Sequence, residues 1–187
     1  MALEAAFDKL CSDLRKLREM LHDVDVNVGD RPEAEGVLLV DDMSDGVTEL
    51  VGLSEECLST AEEARRAAGP PFEPNQMRRS LADSQKQFHI LSRHLFSNLL
   101  SYDRTSALVR FASKNRPAWR GWVDSLRQGL DKSQPAVEAV EEAYFQCWQE
   151  IAERVTTSPV TLHTTNIGQH ITTSALETAE EAREGIT

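Results

Sequence analysis

Apolar residues recur at alternating steps of three and four along several stretches of this chain, and this spacing constrains the fold more than any other feature. The first stretch has seven successive stripe positions without a polar interruption: Leu3, Phe7, Leu10, Leu14, Leu17, Leu21 and Val24. Such spacing keeps the apolar side chains on one narrow side of an α-helix, which must then be buried against other helices. The sequence therefore predicts a helical bundle.

Similar stripes place the boundaries of the first three predicted helices. The first helix should run over about residues 3–23, and the second should start near Pro32 and end before the proline-rich segment 69–74. Three prolines within five residues of that segment cannot continue a helix. A long third helix over about 75–115 follows. Residues 24–28 alternate and could be extended, and residues 37–40 fit either a helix or a strand, with a helix favoured.

The last part of the chain predicts two further helices and an appendage. One helix should start at Pro117, and another should start afresh at Pro135 and end at about Val155, because proline disfavours a helix interior. Residues 156–187 are rich in Thr and carry only a short acidic helix. The predicted fold is all-α: an elongated antiparallel bundle of four or five helices over 1–155, with a C-terminal appendage at 156–187. We expect this appendage to order only against a partner or a second subunit, because its few apolar residues bury too little surface to offset the entropy of ordering.

The net charge of −11 is unevenly distributed along the chain. Residues 1–74 carry 7 basic and 18 acidic side chains, residues 75–134 carry 11 and 4, and residues 135–187 carry 2 and 9. A basic middle between acidic ends fits two arrangements: basic helices paired with acidic ones inside the bundle, or an exposed cationic surface. The first is favoured, because helices adjacent in sequence would place opposite charges side by side.

Catalytic and metal-binding motifs are sparse. Glu19 and His22 form the single Glu-x-x-His pair, whereas a di-metal bundle site uses two. His89 and His94 are five residues apart, which places them on different faces of a helix, and they lack the other elements of a phosphotransfer site. There is no phosphate-binding loop and no nucleophile elbow. The sequence predicts a protein that is not an enzyme and holds no cofactor or metal.

Composition places the protein among cytoplasmic proteins without a membrane span. No apolar run approaches the roughly 18 residues that a span needs. The chain starts with an amphipathic helix, and we expect no signal peptide there. Cys11, Cys57 and Cys147 are far apart and lack metal-ligand spacing, which is typical of buried free thiols in a reducing compartment.

The leading functional hypothesis is an acidic, coiled-coil-like scaffold or interaction protein that self-associates into a homo-oligomer or binds a partner protein. The alternative is binding of nucleic acid or another anionic ligand through the stretch 104–127, where arginines alternate with aromatic residues that could stack on bases. A phosphotransfer or metal-binding bundle is a weaker alternative. The candidate partner-binding residues in that stretch are Arg110, Lys114, Arg116, Trp119, Arg120 and Trp122.

Overall fold

The computed structural model describes residues 2–29, 38–95 and 117–157. Over these ranges the chain is all-helical, with no strand. The four helices are α1 (Ala2–Gly29), α2 (Leu38–Ala68), α3 (Pro74–Arg93) and α4 (Pro117–Thr157). The chain divides into two compact units, Met1–Glu153 and Arg154–Thr187, and all that follows concerns the first.

The apolar stripes meet in one core. All seven stripe residues of α1 are buried, with exposed fractions of at most 4%, which confirms the prediction for this helix. The stripe of α2 narrows from leucine to alanine toward its end, and small side chains there let the neighbouring helices approach closely. The buried stripe residues of α2 and α3 are Val47, Leu50, Ser54, Cys57, Ala61, Ala64, Ala68, Met77, Leu81, Ser84, Phe88 and Leu91.

Side-chain contacts show which helices are neighbours. Arg15 of α1 pairs with Glu62 of α2 at 2.6 Å, and Thr60 of α2 hydrogen-bonds Gln87 of α3 at 2.9 Å. The rings of Phe88 in α3 and Tyr144 in α4 lie 5.4 Å apart. A Cβ placed on Gly129 of α4 would lie 2.6 Å from Cγ2 of Val24 in α1, which closes the ring of four helices.

The neighbouring helices run antiparallel. Arg15 of α1 pairs with Glu62 of α2, whereas Asp25, later on α1, accepts a hydrogen bond from Thr48, earlier on α2. Residue numbers therefore rise along α1 as they fall along α2. The pairs Thr60 with Gln87 and Glu49 with His94 show the same for α2 and α3. Val24 lies at Gly129 and Cys11 lies near Cys147, so α4 is antiparallel to α1 and therefore to α3. The prediction of an all-helical fold is confirmed for the described residues.

The prediction of a helix start at Pro135 is wrong, because α4 continues through this residue. The buried positions on both sides belong to a single stripe, which has no phase shift at the proline: Leu126, Leu130, Ser133, Val137, Val140, Tyr144, Cys147 and Ile151. The Pro135 ring itself is exposed. Proline costs about 3 kcal/mol inside a helix, and burial of a continuous stripe offsets that cost.

Other segment predictions have mixed outcomes. Residues 24–28 are helical and not extended, because Val24 continues the buried stripe of α1. Residues 38–40 are helical. The break at 69–74 is confirmed, since α2 ends at Ala68 and α3 begins at Pro74. The start of the second predicted helix, the distal half of the third and the appendage beyond Thr157 lie outside the described residues.

Candidate interaction surface

The narrow apolar stripe of α1 is the feature that favours self-association, and it is buried inside the chain. Leu10 and Leu14 have no exposed surface, and α1 packs against both α2 and α4. This stripe is therefore part of the core of one subunit, and a binding surface must lie elsewhere.

The structure describes only part of the predicted basic and aromatic site. Arg110, Lys114 and Arg116 lie outside the described residues, and Trp119 and Arg120 lie in the first turn of α4. Trp122 is buried, with 7% of its surface exposed. Its indole therefore packs in the core and is not presented for stacking on a base.

A second, outward-facing stripe runs along α3. Arg79, Lys86 and Arg93 are seven residues apart, and Ala82 and His89 fall between them at steps of three and four. All five residues are exposed. Seven residues are two turns of helix, or about 10.5 Å, so the three cations form a regular row. We call these five residues the basic stripe.

Over the residues that the structure describes, the cations of the basic stripe form no ion pair with the acidic helices. The described cross-helix pairs join Arg15 to Glu62, Arg65 to Asp8 and His94 to Glu49. Within the described ranges, no carboxylate lies within 4 Å of a stripe cation. The expectation that the basic middle pairs internally with acidic helices is therefore wrong for this part of α3, because its cations point away from the neighbours.

An apolar side chain and a shallow cavity accompany the basic stripe. Ile90 is 49% exposed, one residue from His89. A surface cavity of about 470 Å³ is lined by Ala82, Gln85, Lys86, His89, Ile90 and Arg93. An exposed aliphatic side chain between cations suits a partner that offers both carboxylates and apolar groups.

The outer face of α4 carries the opposite charge. Asp124, Asp131, Glu138 and Phe145 are seven residues apart, so they lie along one side of the helix, and Glu142 falls between the last two. All five are exposed, and Phe145 has 63% of its surface in solvent. Within the described part of the chain, these four carboxylates have no ion-pair partner. We call these five residues the acidic stripe.

The two stripes border each other because α3 and α4 are neighbours. Trp148 Nε1 donates a hydrogen bond to Gln85 Oε1 at 2.8 Å, and Gln85 also lines the cavity beside the basic stripe. On α4, Trp148 lies between Tyr144 and Phe145 when viewed down the helix, since residues advance by about 100°. One side of the unit therefore presents a basic stripe with Ile90 beside an acidic stripe with Phe145.

The buried thiols offer little reactivity. Burial raises the pKa of Cys11 to about 11 and the pKa values of Cys57 and Cys147 to about 12. A protonated, buried thiol is a poor nucleophile and a poor metal ligand. Among the residues that the structure describes, no group of three or more His, Cys, Asp or Glu side chains could hold a metal ion. None of the described helices is long and apolar enough to cross a membrane.

Comparison with known proteins gives no match to a family model, a curated protein or a solved structure. The surface of this chain is therefore the only guide to its function. Sequence reasoning missed both stripes, although the seven-residue spacing of Arg79, Lys86 and Arg93 is visible in the sequence. The missing information was which helices are neighbours in the bundle, and therefore which outer surfaces lie side by side.

Proposed function

We propose that this protein is a non-enzymatic helical interaction protein of the cytoplasm, which binds a protein surface through the outer side of α3 and α4. The observation that carries the proposal is the pair of adjacent stripes, each with an exposed apolar residue, Ile90 at 49% and Phe145 at 63%. Isolated exposed charges need no partner, because water solvates them well. A regular row of unpaired cations beside exposed apolar groups is a combination that protein interfaces use.

The apolar residues and the charges have different roles in this proposal. Burial of Ile90 and Phe145 supplies affinity, because apolar surface removed from water contributes about 25 cal/mol per Å². The cations add little affinity individually, since exposed ion pairs contribute about 0–1 kcal/mol. They determine which partner is accepted and in which register.

Site-specific photocrosslinking tests the proposal directly. A crosslinking amino acid at exposed Ala82 should yield a discrete crosslinked protein in an extract of the native host. The same amino acid at Ser12, which is exposed on α1, should not yield that product. The proposal is abandoned if position 82 gives no product beyond the position 12 background.

Binding of a polyanion is a second candidate, favoured by the unpaired cations of the basic stripe. Two observations oppose it: the chain carries a net charge of −11, and the acidic stripe borders the basic one. Binding of heparin or an oligonucleotide should weaken steeply with salt, because phosphate contacts release condensed counterions. Lack of retention on heparin at about 50 mM salt would exclude this candidate.

A further inference from the structure

The charges on the outer side of α3 and α4 specify its partner further. The basic stripe of α3 and the acidic stripe of α4 are complementary to each other in charge. The α3 helix carries four basic residues and one acidic residue, and α4 carries seven acidic and four basic residues. A surface that contains both halves of a complementary pair can bind a copy of itself through a two-fold axis. We infer that the protein forms a homodimer in which the basic stripe of each subunit packs on the acidic stripe of the other, an inference that rests on the proposed function.

Charge selects the orientation of the axis. A two-fold axis perpendicular to the helices would place α3 against α3 of the second copy, with like charges opposed. An axis parallel to the helices exchanges their positions, so that α3 lies over α4 of the second copy. Because α3 and α4 are antiparallel within one subunit, the helices that meet across this interface are antiparallel too.

The register of the charges agrees with that axis, which leaves heights along the helices unchanged. Ser84 lies level with Tyr144, since their hydroxyl oxygens are 2.6 Å apart, and Gln85 lies level with Trp148. Glu138 lies six residues before Tyr144 and ten before Trp148. Because α3 runs in the opposite direction, the height of Glu138 is reached six residues after Ser84 or ten residues after Gln85. These are positions 90 and 95, and Arg93 lies between them.

The other members of the stripes follow from the same count. Glu142 falls at the height of the turn that contains Lys86 and His89. The dimer would therefore contain two copies of each of two ion pairs, Glu138 with Arg93 and Glu142 with Lys86. Phe145 falls level with residues 83–88, where the cavity beside Lys86 lies. Each subunit would insert its Phe145 ring beside the basic stripe of the other.

Charge reversal with exchange tests this arrangement. One variant, Lys86→Glu with Arg93→Glu, removes two positive charges and adds two negative ones. A second, Glu138→Lys with Glu142→Lys, makes the opposite change. All four positions are exposed, so both variants should keep the wild-type circular dichroism spectrum.

The measurement is sedimentation equilibrium between about 5 and 500 μM protein at low salt. Wild-type protein should dimerise, each variant alone should lose at least tenfold in dimer affinity, and an equimolar mixture of the two should regain it as a heterodimer. A control that changes charge equally on α1, Glu4→Lys with Glu19→Lys, should dimerise like the wild type. Exposed ion pairs are screened by salt, so wild-type dimer affinity should also fall as salt is raised.

Failure of this inference differs from failure of the proposed function. A wild-type monomer at 500 μM, or a mixture that does not regain dimer, would overturn the homodimer. If Ala82 still crosslinks to a different host protein, the proposed interaction surface stands with another partner. If neither dimer nor crosslink forms, both proposals are wrong.

Discussion

The hydroxyl oxygens of Ser84 and Tyr144 lie 2.6 Å apart in the core and join α3 to α4. Ser84 Oγ also donates a hydrogen bond to the backbone carbonyl of Cys57 in α2 at 2.7 Å. Because the serine hydroxyl has a single proton, Tyr144 must be the donor in the bond between them. The chain of bonds from Tyr144 through Ser84 to Cys57 therefore connects three helices and fixes their relative heights.

Removal of the Ser84 hydroxyl should therefore destabilise the fold more than removal of the Tyr144 hydroxyl. Tyr144→Phe leaves Ser84 bonded to Cys57 and should lower the free energy of unfolding by about 1 kcal/mol. Ser84→Ala leaves a buried tyrosine hydroxyl without its acceptor, which should cost about 1–3 kcal/mol. Urea unfolding of the two variants and of the double variant measures these values. The double variant should be less destabilised than the sum of the two single variants; strict additivity would show that the two hydroxyls are not coupled.

Alkaline pH should destabilise the fold through the buried thiols. Burial raises the pKa of Cys57 and Cys147 from 9.0 to about 12, so the folded protein keeps protons that the unfolded chain releases. The stabilisation is complete below about pH 9 and is lost as pH rises toward 12, with a slope of up to about 1.4 kcal/mol per pH unit for each thiol. Urea unfolding between pH 8 and 10.5 should show this decline.

The matched variant for this prediction is Cys57→Ala with Cys147→Ala. It should be less stable than the wild type at pH 8, because methyl-sized cavities replace the sulfur atoms. Its stability should then fall less steeply between pH 9 and 10.5. Equal slopes for the two proteins would show that these thiols do not titrate differently in the folded and unfolded states.

Two glycines should respond to alanine in opposite directions. Apart from the adjacent residues and the backbone of its own helix, no atom lies within 4 Å of a Cβ at Gly52, so Gly52→Ala should stabilise α2 by about 1 kcal/mol through helix propensity. At Gly129 the new Cβ would lie 2.6 Å from Val24 Cγ2. Overpacking of this kind costs about 1–3 kcal/mol, which outweighs the gain in propensity. Thermal unfolding should therefore raise the Tm of the first variant and lower that of the second.

The added variant Val24→Ala provides the control for Gly129. It removes the methyl group that the new Cβ would meet, so Gly129→Ala should become neutral or stabilising in this background. If Gly129→Ala still lowers the Tm in the Val24→Ala background, the new Cβ must clash with a residue other than Val24.

Replacement of the helix-interior proline should stabilise the protein. Pro135 is exposed and lies inside α4, so Pro135→Ala restores a backbone donor for the carbonyl of residue 131 without changing the core. We expect the free energy of unfolding to rise by about 1–3 kcal/mol, since proline costs about 3 kcal/mol in a helix interior. Urea unfolding measures this change. Unchanged stability would indicate that the chain does not use a continuous helix at this position.

The sequence by itself determined the class of fold and most of the buried positions. Every stripe residue predicted for α1 is in the core, and the break between α2 and α3 falls at 69–74, because helical periodicity and proline act over a few residues of local chain. The same local information did not predict whether a helix continues through Pro135. The helix continues because Leu130 and Val137, on either side of the proline, are buried in the same core. The free energy of that burial outweighs the local preference of proline.

The tertiary structure alone decided the candidate site. Arg79, Lys86 and Arg93 are visible as a seven-residue series, but which charged surface lies beside them depends on which helix packs next to α3. That neighbour is set by contacts between residues far apart in sequence, such as Ser84 with Tyr144, which are 60 residues apart. Local spacing contains no information about such distant pairs, so the basic and acidic stripes become neighbours only when α3 and α4 pack together.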